Sequence, residues 1–190
     1  MKDFEKVEVA SVAELRAWFE ANHAQEASIW VVTYKKNVPG KYVSREAVLD
    51  EVLCFGWMDG RRMKLDDERT MQLLSPRKAQ HWAKSYKDRV AVLTKEGRMH
   101  PAGLRSVEIA KANGMWDFMN DVDALIKPDD LTAALEAHPP ALEHYEKFPD
   151  SAKRDILRWI KIAKKAETRA KRIHKAATMA AQNKRASGTS

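Results

Sequence analysis

Residues 54–62 read Cys-Phe-Gly-Trp-Met-Asp-Gly-Arg-Arg. An indole, a carboxylate and a guanidinium occupy alternate positions, at Trp57, Asp59 and Arg61. Alternate side chains of an extended strand share a face. The three would then offer one small polar ligand a flat aromatic, an acceptor and a cationic donor, while Met58, Gly60 and Arg62 face the other way. The stretch Ser-Pro-Arg-Lys-Ala-Gln-His-Trp-Ala-Lys at 75–84 follows, with Arg77 and Trp82. A helix starting there would add free backbone N–H groups, which favour an anion. The ligand-binding candidates are therefore Trp57, Asp59, Arg61, Arg77 and Trp82. In an enzymatic version Asp59 would be a general base, with Arg61 or Arg77 clamping a small anionic substrate. In a structural version both tryptophans are core and Asp59 pairs with Arg61.

Other chemistries lack their signatures. The sequence has no glycine-rich phosphate loop, no GxGxxG and no GxSxG. One cysteine and six scattered histidines give no zinc spacing, so neither metal nor cofactor is expected. Cys54 stands between Leu53 and Phe55 and reads as a small core residue rather than a nucleophile. Asp66-Asp67-Glu68 lacks the spacing of a calcium loop and reads as a polar turn.

The elements that must position these residues follow from capping and periodicity. Ser11 and Glu14 form a capping box for a helix to about Asn22. Ser28–Lys36 is β-branched and aromatic and predicts a strand. Ser44 caps a second helix, burying Val48, Leu49, Val52 and Leu53 and stopping at Gly56. Trp57–Leu65 and Arg69–Leu74 predict an antiparallel hairpin closed by Pro76. From Ala79 the period becomes helical through Trp82, Tyr86, Val90 and Leu93. Pro101 opens a helix to Gly114. Asp129 or Asp130 caps a short one to Ala137, and Ala141–Phe148 forms another. The stripe from Ile156 to Ala180 would drift around one straight helix. Two helices meeting near Glu167-Thr168, with Thr168 as cap, remove the drift. Ala186–Ser190 is small and polar, the composition of a frayed tail. The fold class is thus α+β, a small antiparallel sheet flanked by helices and then an all-helical C-terminal region. The boundary is placed between a body at 1–125 and helices at 126–190.

The net charge of +7 is unevenly spread. Residues 151–190 hold twelve Lys or Arg against Asp155 and Glu167, while the other 150 residues hold 22 basic and 25 acidic ones. Lys161, Lys165, Arg169 and Arg172 fall on one broad face. They make a nucleic acid or acidic protein an alternative partner, though with Trp159 as sole aromatic there, base stacking would be poor. No apolar run is long enough to span a bilayer, and the N-terminus lacks the apolar run of a signal peptide. No membrane insertion and a cytoplasmic location are expected. Ala163, Ala166, Ala170 and Ala177 could pack helices within one chain or between two, leaving the oligomeric state open.

The phrases "FGWMDG", "SPRKAQHWAK", "GRMHPAGL" and "AKKAETRAKRI", in this order, resemble the bacterial YdeI/OmpD-associated, bacteriocin-protection family. The resemblance covers nearly the whole chain. It implies an α+β body related to YjbR/CyaY-like and YdhG-like folds, then helices. It carries no agreed activity, cofactor or catalytic set. Its names imply bacteriocin protection or outer-membrane association. The leading expectation is a non-enzymatic cytoplasmic binding protein linked to stress or bacteriocin tolerance. Relatives often have proline where this chain has Ala166, which implies a helix break there.

Overall fold

The computed structural model describes residues 4–186; Met1–Asp3 of the leader reading and residues 187–190 of the expected frayed tail lie outside them. The chain divides into two compact units, Met1–Asp117 and Phe118–Ser190.

The first unit contains β1 (Lys6–Val9), α1 (Val12–Asn22), β2 (Ile29–Tyr34), α2 (Arg45–Cys54), β3 (Trp57–Lys64), β4 (Arg69–Pro76), α3 (Lys84–Lys95) and α4 (Pro101–Ala112). The caps act as their residue types dictate. Ser11 Oγ accepts from the Glu14 N–H, and the Glu14 carboxylate reaches back to the Ala10 N–H at 2.8 Å. Ser44 Oγ accepts from the Ala47 N–H. Gly56 ends α2 with φ +72°, a conformation that costs any residue with a Cβ.

The α+β class holds, with one difference in the sheet. Its order is β1-β2-β4-β3, and β1 runs parallel to β2 while the other pairs are antiparallel. The sheet is mixed because α1 carries the chain back between β1 and β2. Four residues, Lys-Val-Glu-Val, are too short a run to announce β1. Strand β2 is central and buried on both faces, which explains its unbroken Ile-Trp-Val-Val. Ile29, Val31, Leu74 and Trp57 pack with Leu15, Phe19, Val52, Leu53 and Val90 from the helices. Trp30, Val32 and Met71 make a smaller core on the opposite face.

A second difference lies at residues 77–83. They are not helical, and α3 begins only at Lys84. The Trp82 N–H donates to the Met115 carbonyl at 3.1 Å and its side chain is fully buried, so tertiary anchoring overrides the local helical period.

The second unit is helical: α5 (Asn120–Asp123), α6 (Asp129–Glu136), α7 (Ala141–Lys147), α8 (Asp150–Lys161) and α9 (Ala166–Ala181). They close on Leu131, Leu135, Tyr145, Ile156, Ile160, Ile173 and Ala177. The expected break in the last stripe is present, but Thr168 is not its cap. Lys165 is the capping residue and Ala166 the first helical one, the position proline favours. Asp129 and Asp130 occupy the first turn of α6 after Pro128, where carboxylates complement the helix dipole. Among the described residues no helix is long and apolar enough to cross a membrane.

Candidate functional site

Three chain turns in the first unit converge on a cavity of about 440 Å³. The first is the end of α1, where His23 is the capping residue and its Nδ1 donates to the Phe19 carbonyl at 3.0 Å. The second is the Phe55-Gly56-Trp57 turn, with Arg77 tied beside it by its N–H to the Gly56 carbonyl at 3.1 Å. The third is the start of α4. There the His100 N–H donates to the Cys54 carbonyl at 3.1 Å, and His100 Nδ1 accepts from the Ala102 N–H at 3.2 Å. Gly103 permits this approach, because a Cβ there would run into the Cys54 carbonyl and stand 2.9 Å from the Leu53 one.

Rings form one wall. Phe19 stacks on Phe55 at 5.2 Å, Phe55 on His100 at 4.7 Å, and His23 meets the His100 ring edge-on at 4.5 Å. Burial, together with His23 and Arg16 nearby, holds the His100 pKa below the ordinary histidine value. Behind the wall lies an ion network. Glu51, 1% exposed, accepts from Arg16 and Arg98, each at 3.0 Å. Asp50 receives Arg89 and, at 3.2 Å, Arg98. The network joins α1, α2, α3 and the loop before α4, so it fixes where both histidines stand. Burial, with Glu51 close, pushes the Cys54 thiol to about 11, which leaves it un-ionised and a poor nucleophile at neutral pH.

The strand trio does not meet at one hollow. Trp57 is 1% exposed, and its indole N–H donates to the His23 carbonyl at 2.9 Å, so it serves as cavity wall. The Asp59 carboxylate, 6% exposed, accepts from the Tyr86 hydroxyl and from Gln72 Nε2 at 3.1 Å, with Arg45 at 3.9 Å. Arg61 lies on the other face, its guanidinium 5.4 Å from the Trp30 ring centre. The cause is a β-bulge between Asp59 and Arg62, which adds a residue and ends strict alternation.

Arg77 and Trp82 do come together. The guanidinium sits 3.9 Å from the Trp82 ring centre and 5.8 Å from that of Tyr86. Burial lowers the Arg77 pKa, against the pull of Tyr86 and Asp59. Burial and the Asp59 hydrogen bond push the Tyr86 hydroxyl up to about 12. Arg77 Nε and Nη1 are buried without any hydrogen-bond partner, and Arg77 lines the cavity. Packed against the Trp82 ring, the guanidinium makes no hydrogen bond or ion pair with the described residues.

Residues 7–106 match the family model described as Domain of unknown function (DUF8412), more than half of the chain. The chain belongs to the DUF8412 family. Nearly the whole cavity wall, from His23 to Ser106, falls inside the matched DUF8412 stretch. Residues 124–183 match a second model, described as Bacteriocin-protection, YdeI or OmpD-Associated, and so lie in the helical unit. No curated protein matches the chain. No solved structure matches it either, and the YjbR/CyaY-like relation rests on the sequence resemblance alone.

The alternative cationic face in the second unit is mostly engaged. Arg169 makes a bidentate pair with Asp130 at 2.7 and 2.8 Å. Lys161 pairs with Asp121. Arg172 donates to the Trp159 carbonyl and lies 5.3 Å from that ring's centre. Lys165 is exposed. Outside the DUF8412 strand trio, sequence reasoning missed His23, His100 and Arg105. "GRMHPAGL" did carry a signal for His100, since a polar residue before Pro at the first helical position marks a helix start.

Proposed function

We propose that the first unit is a receptor for a small anionic ligand, taken into the His23–Arg77–His100 cavity, and that the chain acts as a binding protein rather than an enzyme. The observation that carries this reading is Arg77, a half-buried guanidinium on the cavity wall whose buried Nε and Nη1 have no acceptor. Buried polar groups are as a rule paired, so two buried N–H groups without an acceptor mark this guanidinium as open to a partner. An oxyanion entering the cavity would meet this unpaired cation at its wall. Arg105 on the same wall adds positive potential. Asp59 does not line the cavity, which argues against its use as a general base there. The match of the helical unit to a bacteriocin-protection model supports bacteriocin tolerance as the setting of this binding; a role in stress tolerance and a cytoplasmic location in a bacterium are part of the proposal.

The test is calorimetric titration of the full chain with short carboxylates and with inorganic phosphate. Wild type is expected to bind at least one of them, and Arg77→Met to weaken it at least tenfold while keeping its melting temperature. Equal affinity in Arg77→Met, or no binding by wild type, overturns the reading. The polyanion alternative gains no support from cations already paired within the second unit.

A further inference from the structure

The neutral polar groups around the cavity have their donor and acceptor roles fixed by bonds made elsewhere. A carbonyl only accepts, so His23 Nδ1 must carry the proton it gives to Phe19, and in the neutral ring Nε2 is left as a lone pair. The opposite holds at His100. A backbone N–H only donates, so Nδ1 is the acceptor toward Ala102, and Nε2 carries the hydrogen. Ser106 Oγ gives its hydrogen to the Gly103 carbonyl at 2.8 Å, so toward the cavity it only accepts. All three residues line the same space. Among the described residues, neither imidazole Nε2 has a hydrogen-bond partner. The cavity wall thus carries two cations, Arg77 and Arg105, one carboxylate, Glu26, an amide, Gln25, and beside them an imidazole donor at His100 and acceptors at His23 and Ser106. Acceptors of this kind are wasted on a bare carboxylate, which carries no hydrogen at neutral pH. They match a ligand that brings its own hydrogen.

We propose that the cavity selects small organic oxyanions bearing a hydroxyl group, such as 2-hydroxy carboxylates, with the oxyanion at Arg77 and the hydroxyl hydrogen donated to His23 Nε2 or Ser106 Oγ. The inference rests on the anion-receptor reading and narrows it. A hydroxyl suits the site better than an ammonium, since Arg77 and Arg105 outnumber the one carboxylate on the wall, Glu26. Phe55, Trp57 and Ile109 provide apolar wall for the ligand's carbon frame.

The experiment uses matched pairs that differ by one hydroxyl, lactate against propionate and mandelate against phenylacetate, titrated into the full chain at pH 8, where imidazoles are neutral. The hydroxy acid of a pair is expected to bind about tenfold more tightly. That preference is expected to disappear in His23→Phe or in Ser106→Ala. Long-range nitrogen NMR of the free protein supplies a readout independent of any variant's folding. It should show His23 protonated on Nδ1 and His100 on Nε2. Binding of none of the four acids overturns this inference, and the anion-receptor reading falls with it when inorganic phosphate does not bind either. Equal binding within both pairs overturns the hydroxyl selectivity alone. A preference surviving in both variants, or His23 protonated on Nε2, overturns the assigned acceptors.

Discussion

His100 performs two tasks with one ring. Its Nδ1 caps α4 and its depressed pKa keeps that nitrogen free to accept. The unfolded chain therefore binds a proton near pH 6.5 that the folded chain resists. Where the unfolded state binds more protons, stability falls as pH falls. The contribution is complete above about pH 6.5 and is lost as pH drops from there toward the lower folded value. Arg16 and His23 reinforce the depression and Glu20 opposes it. Asparagine is as good a helix cap and does not titrate. The loss of melting temperature between pH 7.5 and 5.5 is therefore expected to be smaller in His100→Asn than in wild type. Equal slopes would show that His100 does not govern this window.

At the scale of elements, the site exists because α4 can touch the end of α2. Gly103 has the Cys54 carbonyl where a Cβ would go, and Gly56 combines φ +72° with the Ala102 carbonyl 2.9 Å from its missing Cβ. Both obstacles are backbone, which cannot swing aside. Gly103→Ala is expected to push α4 outward at a cost of about 3 kcal/mol, the upper end for overpacking, visible as a lower denaturant midpoint. The same variant should bind any cavity ligand more weakly, since His100 and Ser106 travel with α4. An unchanged midpoint would mean that the helices slide without cost. The Arg16–Glu51–Arg98 network works at this scale too. It ties elements far apart in sequence, and its worth lies in geometry more than in net stability.

For the whole molecule, the division into two units with separate cores coincides with two separate family matches, one inside each unit. The cavity is built wholly from residues of the first unit. A fragment of residues 1–117 is expected to unfold cooperatively and to bind with the affinity of the full chain. Circular dichroism on heating and the same titrations check this. A fragment that folds but fails to bind would show that the helical unit contributes to the site.

The amino-acid sequence by itself determined the elements whose signals are local. Ser11, Ser44 and Gly56 start or stop helices through bonds and torsions within a few residues, and the Ile-Trp-Val-Val run of β2 declares its burial through composition. It also pointed to Arg77 and Trp82 as neighbours on one short segment. Only the tertiary structure decided the rest. The bulge after Asp59, invisible in alternation, sent Arg61 to the far face. Backbone bonds from Arg77 to Gly56 and from Trp82 to Met115, with the buried Trp82 ring, hold residues 77–83 out of a helix. His23 and His100, 77 positions apart, became a pair because stacked rings and a glycine contact brought α1 and α4 together. Local patterns report what the chain does over one turn of helix or a few residues of strand; convergence of distant side chains depends on packing, which no short window of sequence contains.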